Sequence, residues 1–476
     1  MTVASATAPT LAATRARAGG LLDSEAFLVL ALAAGAALAL LVVRGTVGSD
    51  TWLTLAAGEL VARHGLPTHD TLATWTQGRT WVDQQWLAQL LDYGVARLGG
   101  LRLLALLNAA AVISTPIALA ALARVRGASA RAVAPAAFFA FLLLLPFAGI
   151  RAQALAYPLA ASLLWVVLGT PRPSPRRLAL ALPLLVVWAN VHGSVLLGAG
   201  LVAACAAEAA LRSRRPAFVL VSGAAVAAVF ASPYALELPR YYRRVLLDPS
   251  FGKLVTEWQA PTVRTQPLLY LFAPVALILV GRRLRSFSTA ELAALAAAAG
   301  AAFLSTRNIV WFGLLALVLV PRAVELEWPD AASPRRARVN VALSLATIAA
   351  VALLALGTSA HDAAWYQRGY PAGARTAVAR YVAEHPSARI LATEAYADWL
   401  LWDVPAARGH VAFDARFELL TGPELERIAR FEHRQGAAWR GPAAGADLLV
   451  LPASQASAAA GGTILYEDAG VIVATT

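Results

Sequence analysis

Residues 26–58 read AFLVLALAAGAALALLVVRGTVGSDTWLTLAAG, and their reading decides the architecture. Span 26–44 has the ~20 mainly apolar residues that one helix needs to cross a bilayer. Directly after it, Gly48-Ser49-Asp50-Thr51-Trp52 sets a carboxylate at the end of the span. A second helical pattern starts there. Over Thr51–His64, Leu53, Ala56, Ala57, Leu60 and Val61 share one face, as in an amphipathic helix lying on a membrane. Leu66-Pro67 breaks that helix, and the polar segment Thr68–Trp75 follows. Residues 83–98 repeat the pattern, with Trp86, Leu87, Leu90, Leu91 and Val95 inward. Trp75, Trp81 and Trp86 suit a membrane interface. Residues 45–100 are therefore expected as a first extracytoplasmic loop built on amphipathic helices.

The rest of the chain repeats the first motif. Of 476 residues, 59% are hydrophobic and 14% charged, against about 25% charged in a soluble domain. This excludes an ordinary soluble enzyme, a disordered tail and a fibrous protein. Further apolar spans fall at 101–122, 131–148, 152–169, 178–191, 194–211, 217–232, 267–281, 287–304, 308–321 and 339–357. The expectation is a polytopic α-helical membrane protein of about eleven transmembrane helices, its membrane domain covering 26–357. Cys205 is the single cysteine, so an intrachain disulfide is excluded.

The net charge of +12 is a topology signal. Arg124, Arg126 and Arg131, then Arg172, Arg176 and Arg177, then Arg212, Arg214 and Arg215, then Arg282, Arg283 and Arg285, then Arg322 to Arg338 fall in alternate loops. With Arg15 and Arg17 in a cytoplasmic tail 1–25, that alternation follows the positive-inside rule, and the charge needs no nucleic-acid partner. The final stretch 358–476 differs in kind. Its thirteen acids and ten arginines leave it at −3 and the remainder at +15. Helical patterns at 372–384, 396–402 and 423–434 alternate with strands near 389–393, 411–414, 447–451, 463–466 and 471–474. This is a small C-terminal extracytoplasmic α/β domain.

Four constellations carry candidate chemistry. Asp50 is a general base or a metal ligand facing a lipid-linked substrate; the plain alternative is an N-cap worth ~1 kcal/mol. Asn190-Val191-His192-Gly193 interrupts an apolar stretch, where polar groups are costly unless paired or lining a wet cavity. Asn190 and His192 are thus substrate-binding candidates, or parts of a tight helix–helix turn. Arg151 and Arg307 lie in outer turns, against the charge bias, and two such guanidinium groups can clamp a phosphate. Snorkelling at the interface is the alternative. In 233–266, Tyr234, Tyr241, Tyr242, Glu257 and Trp258 combine aromatic faces with polar groups. That composition suits sugar recognition or interfacial anchoring. ATP-binding and zinc-hydrolase motifs are absent from the sequence.

These residues also carry a resemblance. The run Asp50–Gly58, then His64-Gly65-Leu66-Pro67 and Asp70, then Trp81-Val82-Asp83-Gln84-Gln85-Trp86-Leu87, resembles the first outer loop of the GT-C superfamily of integral membrane glycosyltransferases. The likeness is to the protein mannosyltransferase and lipid A arabinose-transferase group. Asn190-x-His192-Gly193, Ser232-Pro233-Tyr234, Glu257-Trp258-Gln259 and Asp414-x-Arg416 fit the same pattern. The resemblance implies transfer of a sugar from a polyprenyl-phosphate donor to an extracytoplasmic acceptor (a cell-envelope glycan, lipid or protein), in a bacterial inner membrane. It implies Asp50 as the catalytic acid of the first loop. Relatives often have an adjacent acidic pair there, whereas this chain has Ser49-Asp50. Metal use therefore stays open, with a divalent ion as one option, and Asp70 and Asp83 become candidates for a second carboxylate. Gln84 and Gln85 stand where a His-Glu pair is expected. A non-catalytic membrane scaffold and a lipid-linked sugar transporter are the competing readings.

Overall fold

The computed structural model describes residues 25–43, 47–329, 337–436, 439–459 and 461–476. The expected tail 1–25 lies outside them apart from Glu25. Helix α1 (Ala26–Val43) leads into α2 (Ser49–His64), and α3 (Trp86–Val125) returns through the bundle. Helix α3 is two helices joined at a kink: Gly99 leaves helical geometry and Gly100 has φ +65°, a region that disfavours side chains with a Cβ. The expected amphipathic segment thus runs straight into the next span. Helices α4 (Ala130–Leu144), α5 (Ala152–Leu168), α6 (Ala181–Val191), α7 (Val195–Ser213) and α8 (Pro216–Ala228) follow. After a loop carrying α9 (Leu238–Leu247) come α10 (Pro267–Gly281), α11 (Thr289–Leu304), α12 (Ile309–Glu327) and α13 (Ala337–Ser359).

Among the described residues six helical segments are long and apolar enough to cross a membrane: those of α1, α3, α7, α12 and α13, and 130–147, which includes α4. Helices α5, α8, α10 and α11 are apolar but shorter. Helix α12 is the hub, with Ile309–Pro321 buried throughout. Helix α13 is the reverse: it leaves Leu343, Leu345, Ile348, Leu353 and Leu356 exposed, a face suited to lipid. The arginines of the basic loops gather at the end remote from α2. There Arg124 pairs with Glu25, buried Arg126 with Glu291, and Arg282 and Arg283 with Glu327.

The C-terminal part is a four-stranded sheet with helices. Strands β1 (Ile390–Ala392), β2 (Leu448–Pro452), β3 (Ile464–Glu467) and β4 (Val471–Thr475) stand in the order β1-β2-β4-β3. β1 and β2 are parallel, and the other pairs are antiparallel. Helices α14 (Ala372–Glu384), α15 (Glu394–Asp403) and α16 (Gly422–His433) complete it. The strand expected at 411–414 is only a bridge: Val411 pairs with Ile390 on one side and with Ala73 on the other. Its backbone is shared between the sheet and the first loop, so a regular ladder cannot extend.

That junction also changes the reading of the first loop. Helix α2 does not lie on a surface. Thr51–Gly58 are all buried, between α3 and α15. Trp81 is buried under the Arg416 guanidinium, 4.3 Å from its ring centre, and the Trp86 indole donates to Asn190 Oδ1 at 2.8 Å. Trp75 packs on Phe413. Trp81 is buried and Trp75 and Trp86 are half-buried; Trp75 and Trp81 meet residues of the sheet domain, at the surface they were expected to anchor.

Candidate functional site

A cavity of about 600 Å³ lies between the helix ends and the sheet domain. Asp50, Arg151, His192, Glu257, Trp258 and Arg307 all line it. They converge from five chain segments. Asp50 stands in the first turn of α2, whose N-cap is Gly48, so its carboxylate is not spent on capping. Next to it, Thr51 Oγ1 donates to the Ile150 carbonyl at 2.9 Å, which sets Arg151, the N-cap residue of α5, beside the acid. Arg151 Nε lies 3.3 Å from Asp50 Oδ2. Its two terminal nitrogens donate to both oxygens of Glu257 at 2.7 Å. Burial would raise the Glu257 carboxyl, but the Arg151 hydrogen bonds and charge outweigh it and hold the group well below its ordinary range.

Arg307 is held differently. Its guanidinium lies over the Trp258 ring at 4.3 Å and its Nη2 is 3.5 Å from His192 Nε2. Among the described residues no carboxylate forms an ion pair with it. The turn that carries it is tied to the Glu257 loop: Ser305 Oγ donates to the Glu257 carbonyl at 3.1 Å and the Thr306 N–H to the Gln259 carbonyl at 3.0 Å. His192 follows the last residue of α6, and its Nδ1 is 2.8 Å from Ser194 Oγ. Burial, then the Arg307 and Arg151 charges, push its pKa well down, leaving a neutral imidazole. Arg151 is thus a neutralised strut for Asp50, and Arg307 is the cation with charge to offer an anion.

The sheet domain supplies the opposite wall. Glu394 opens α15, and Ser49 Oγ donates to its Oε1 at 3.1 Å. Burial, with Glu432 and Asp50 nearby, pushes Glu394 up to about 8. Glu418 and Glu432 line the same wall, and burial pushes Glu418 up to about 7. These acids were not singled out in the sequence; the available signal was an acid in the first helical turn after a buried strand.

Four sequence candidates lie outside the cavity lining. Asp70 is buried and fully engaged: Arg416 Nη2 is 2.7 Å from it, the Leu72 N–H donates at 2.9 Å and Thr76 Oγ1 at 2.5 Å. Asp83 is buried as well, which pushes it up to about 7 against the Arg416 charge. Asn190 donates to the Val186 and Ala231 carbonyls, and Tyr234 donates to the Pro67 carbonyl at 2.7 Å. Asp70, Asn190 and Tyr234 are spent on joining elements, whereas Asp83 keeps one buried carboxylate oxygen without a partner among the described residues. Among the described residues no three His, Cys, Asp or Glu side chains form a group able to hold a metal ion.

No family profile and no curated protein sequence matches the chain. Solved structures do. The oligosaccharyltransferase AglB from Archaeoglobus fulgidus, in complex with an inhibitory peptide and a dolichol-phosphate, aligns at TM-score 0.51 and 15% identity, over 89% of this chain and 69% of that one. ArnT from Cupriavidus metallidurans aligns at TM-score 0.48 in the apo state and 0.44 bound to undecaprenyl phosphate, each at 13% identity over 94% of this chain and 97% of ArnT. The chain is a multi-pass membrane protein that shares the fold of AglB, a fold of the kind the first-loop resemblance implied. At this identity the likeness defines the fold.

Proposed function

We propose that the chain is a GT-C-type glycosyltransferase that moves a sugar from a polyprenyl-phosphate donor to an acceptor on the sheet-domain side. The observation that carries this reading is the convergence of Asp50, Arg151, His192 and Arg307 in one cavity. A carboxylate and an uncommitted guanidinium facing the same space are the two parts that the reaction needs.

In the proposed step Asp50 takes the proton of an acceptor hydroxyl. The acceptor oxygen then forms a bond to the anomeric carbon. The bond from that carbon to the phosphate oxygen breaks, and its electron pair leaves with the polyprenyl phosphate. Arg307 meets the developing charge, and Arg151 holds Asp50 in place. Neutral His192, Glu257 and Trp258 border the sugar. No step runs through a metal. The positive-inside rule adds a topology to this reading, with the basic loops cytoplasmic and the cavity on the outer face of a bacterial inner membrane.

The test is transfer from radiolabelled polyprenyl-phosphate sugars by purified wild type and Asp50→Asn. We expect a loss of about 10²–10⁴-fold in the variant with donor binding retained. Retained transfer would remove Asp50 from the mechanism. A wild type inert across a panel of donors would favour a scaffold that displays the sheet domain.

A further inference from the structure

Gln153 lines the cavity, is 2% exposed, and both of its side-chain polar atoms lack a hydrogen-bond partner among the described residues. A primary amide offers two donors and an acceptor, and burying all of them unmet costs free energy that an apolar side chain of the same shape avoids. Its surroundings point to what meets it. Gln153 stands in the first turn of α5, two residues after Arg151. The first N–H groups of a helix have no partner within it, and the helix dipole favours an anion at that end. Arg307, uncommitted to any carboxylate among the described residues, borders the same space. The helix end, the cation and the unmet amide line the same cavity.

We propose that Gln153 is a donor-binding residue that reads the junction between phosphate and sugar: Nε2 donates to a phosphate oxygen, and Oε1 accepts from a hydroxyl of the attached sugar. This rests on the polyprenyl-phosphate donor proposed above. It adds a neutral contact that the arginines cannot supply, because an arginine only donates whereas an amide also accepts. Gln153 thereby discriminates the glycosylated lipid from the bare phosphate product.

The full chain, purified in detergent, is compared with Gln153→Met and Gln153→Glu. Methionine keeps the length and shape without polar atoms; glutamate keeps the shape and adds a negative charge. Polyprenyl phosphate and the corresponding polyprenol are titrated, and thermal melting is recorded. Gln153→Met is expected to melt at or above the wild-type temperature and to bind polyprenyl phosphate about tenfold more weakly. Its KM for the sugar donor should rise by a larger factor, and polyprenol binding should not change. Gln153→Glu should lose more affinity for the phosphate than Gln153→Met, and it decides the matter alone if the methionine variant does not fold. Unchanged phosphate affinity in the folded variants would overturn the role of Gln153 while leaving the donor class standing. A wild type that binds polyprenol as tightly as polyprenyl phosphate would overturn the donor class, and the role of Gln153 with it.

Discussion

Asp50 and Glu394 reach the cavity from opposite walls, and Ser49 ties the first to the second. Their settings differ: Asp50 faces Arg151, whereas Glu394 faces Asp50, Glu432 and Glu257. Glu394 is raised to about 8 and buried Asp83 to about 7, both by burial first, above their ordinary values near 4. The folded chain therefore holds these protons more tightly than the unfolded one. Stability from such groups is full below pH ~4 and is lost as pH rises through 7 to 8. The melting temperature is expected to fall between pH 6 and 9, and Glu394→Gln should flatten that fall. An equal slope in both proteins would refute the assignment.

Among the elements, α2 sets the site because it is wedged between α3 and the sheet domain. Gly58 makes the wedge possible: a Cβ there would meet the Gln89 carbonyl oxygen at 2.2 Å. A backbone oxygen in a helix cannot swing aside as a side chain can. Gly58→Ala should cost about 1–3 kcal/mol or more, measured as a drop in denaturation midpoint. It should also lower transfer, since any shift of α2 carries Asp50 with it. The helical periodicity of 51–64 was legible, but its partner was not. The same apolar stripe fits a membrane surface or a neighbouring helix, and only the position of α15 chooses between them.

In the whole molecule, ion pairs fasten the sheet domain to the first loop, those of Arg416 buried and the others part-exposed. Arg416 joins Asp414 at 2.5 Å to Asp70 at 2.7 Å, Arg79 grips Glu424 at 2.7 Å and Arg408 reaches Glu59 at 2.6 Å. Removing Arg416 leaves two carboxylates buried without their cation. Arg416→Ala is therefore expected to destabilise by about 3–5 kcal/mol, and limited proteolysis should release the 358–476 region faster. Wild-type resistance in that variant would mean that the domains are held mainly by packing. The wall bearing Glu394 and Glu418 exists only while this fastening holds.

The sequence by itself determined the membrane class, the apolar spans, the alternation of basic loops and the α/β character of the last part. Each follows from composition and periodicity within a window of some twenty residues. It also singled out Asp50, Arg151 and Arg307 as charges at the ends of apolar spans, His192 as a polar group interrupting an apolar stretch, and Glu257 and Trp258 from the aromatic and polar composition of their loop. Tertiary structure alone decided which polar groups were already spent. Asp70, Asp83, Asn190 and Tyr234 carry the same kinds of polar group as the cavity residues, yet they lie outside it, three of them in hydrogen bonds to distant partners. Gln153 and Glu394 entered the site for the converse reason. Whether a buried polar group is satisfied depends on atoms far away in the sequence, and no local pattern encodes that distance.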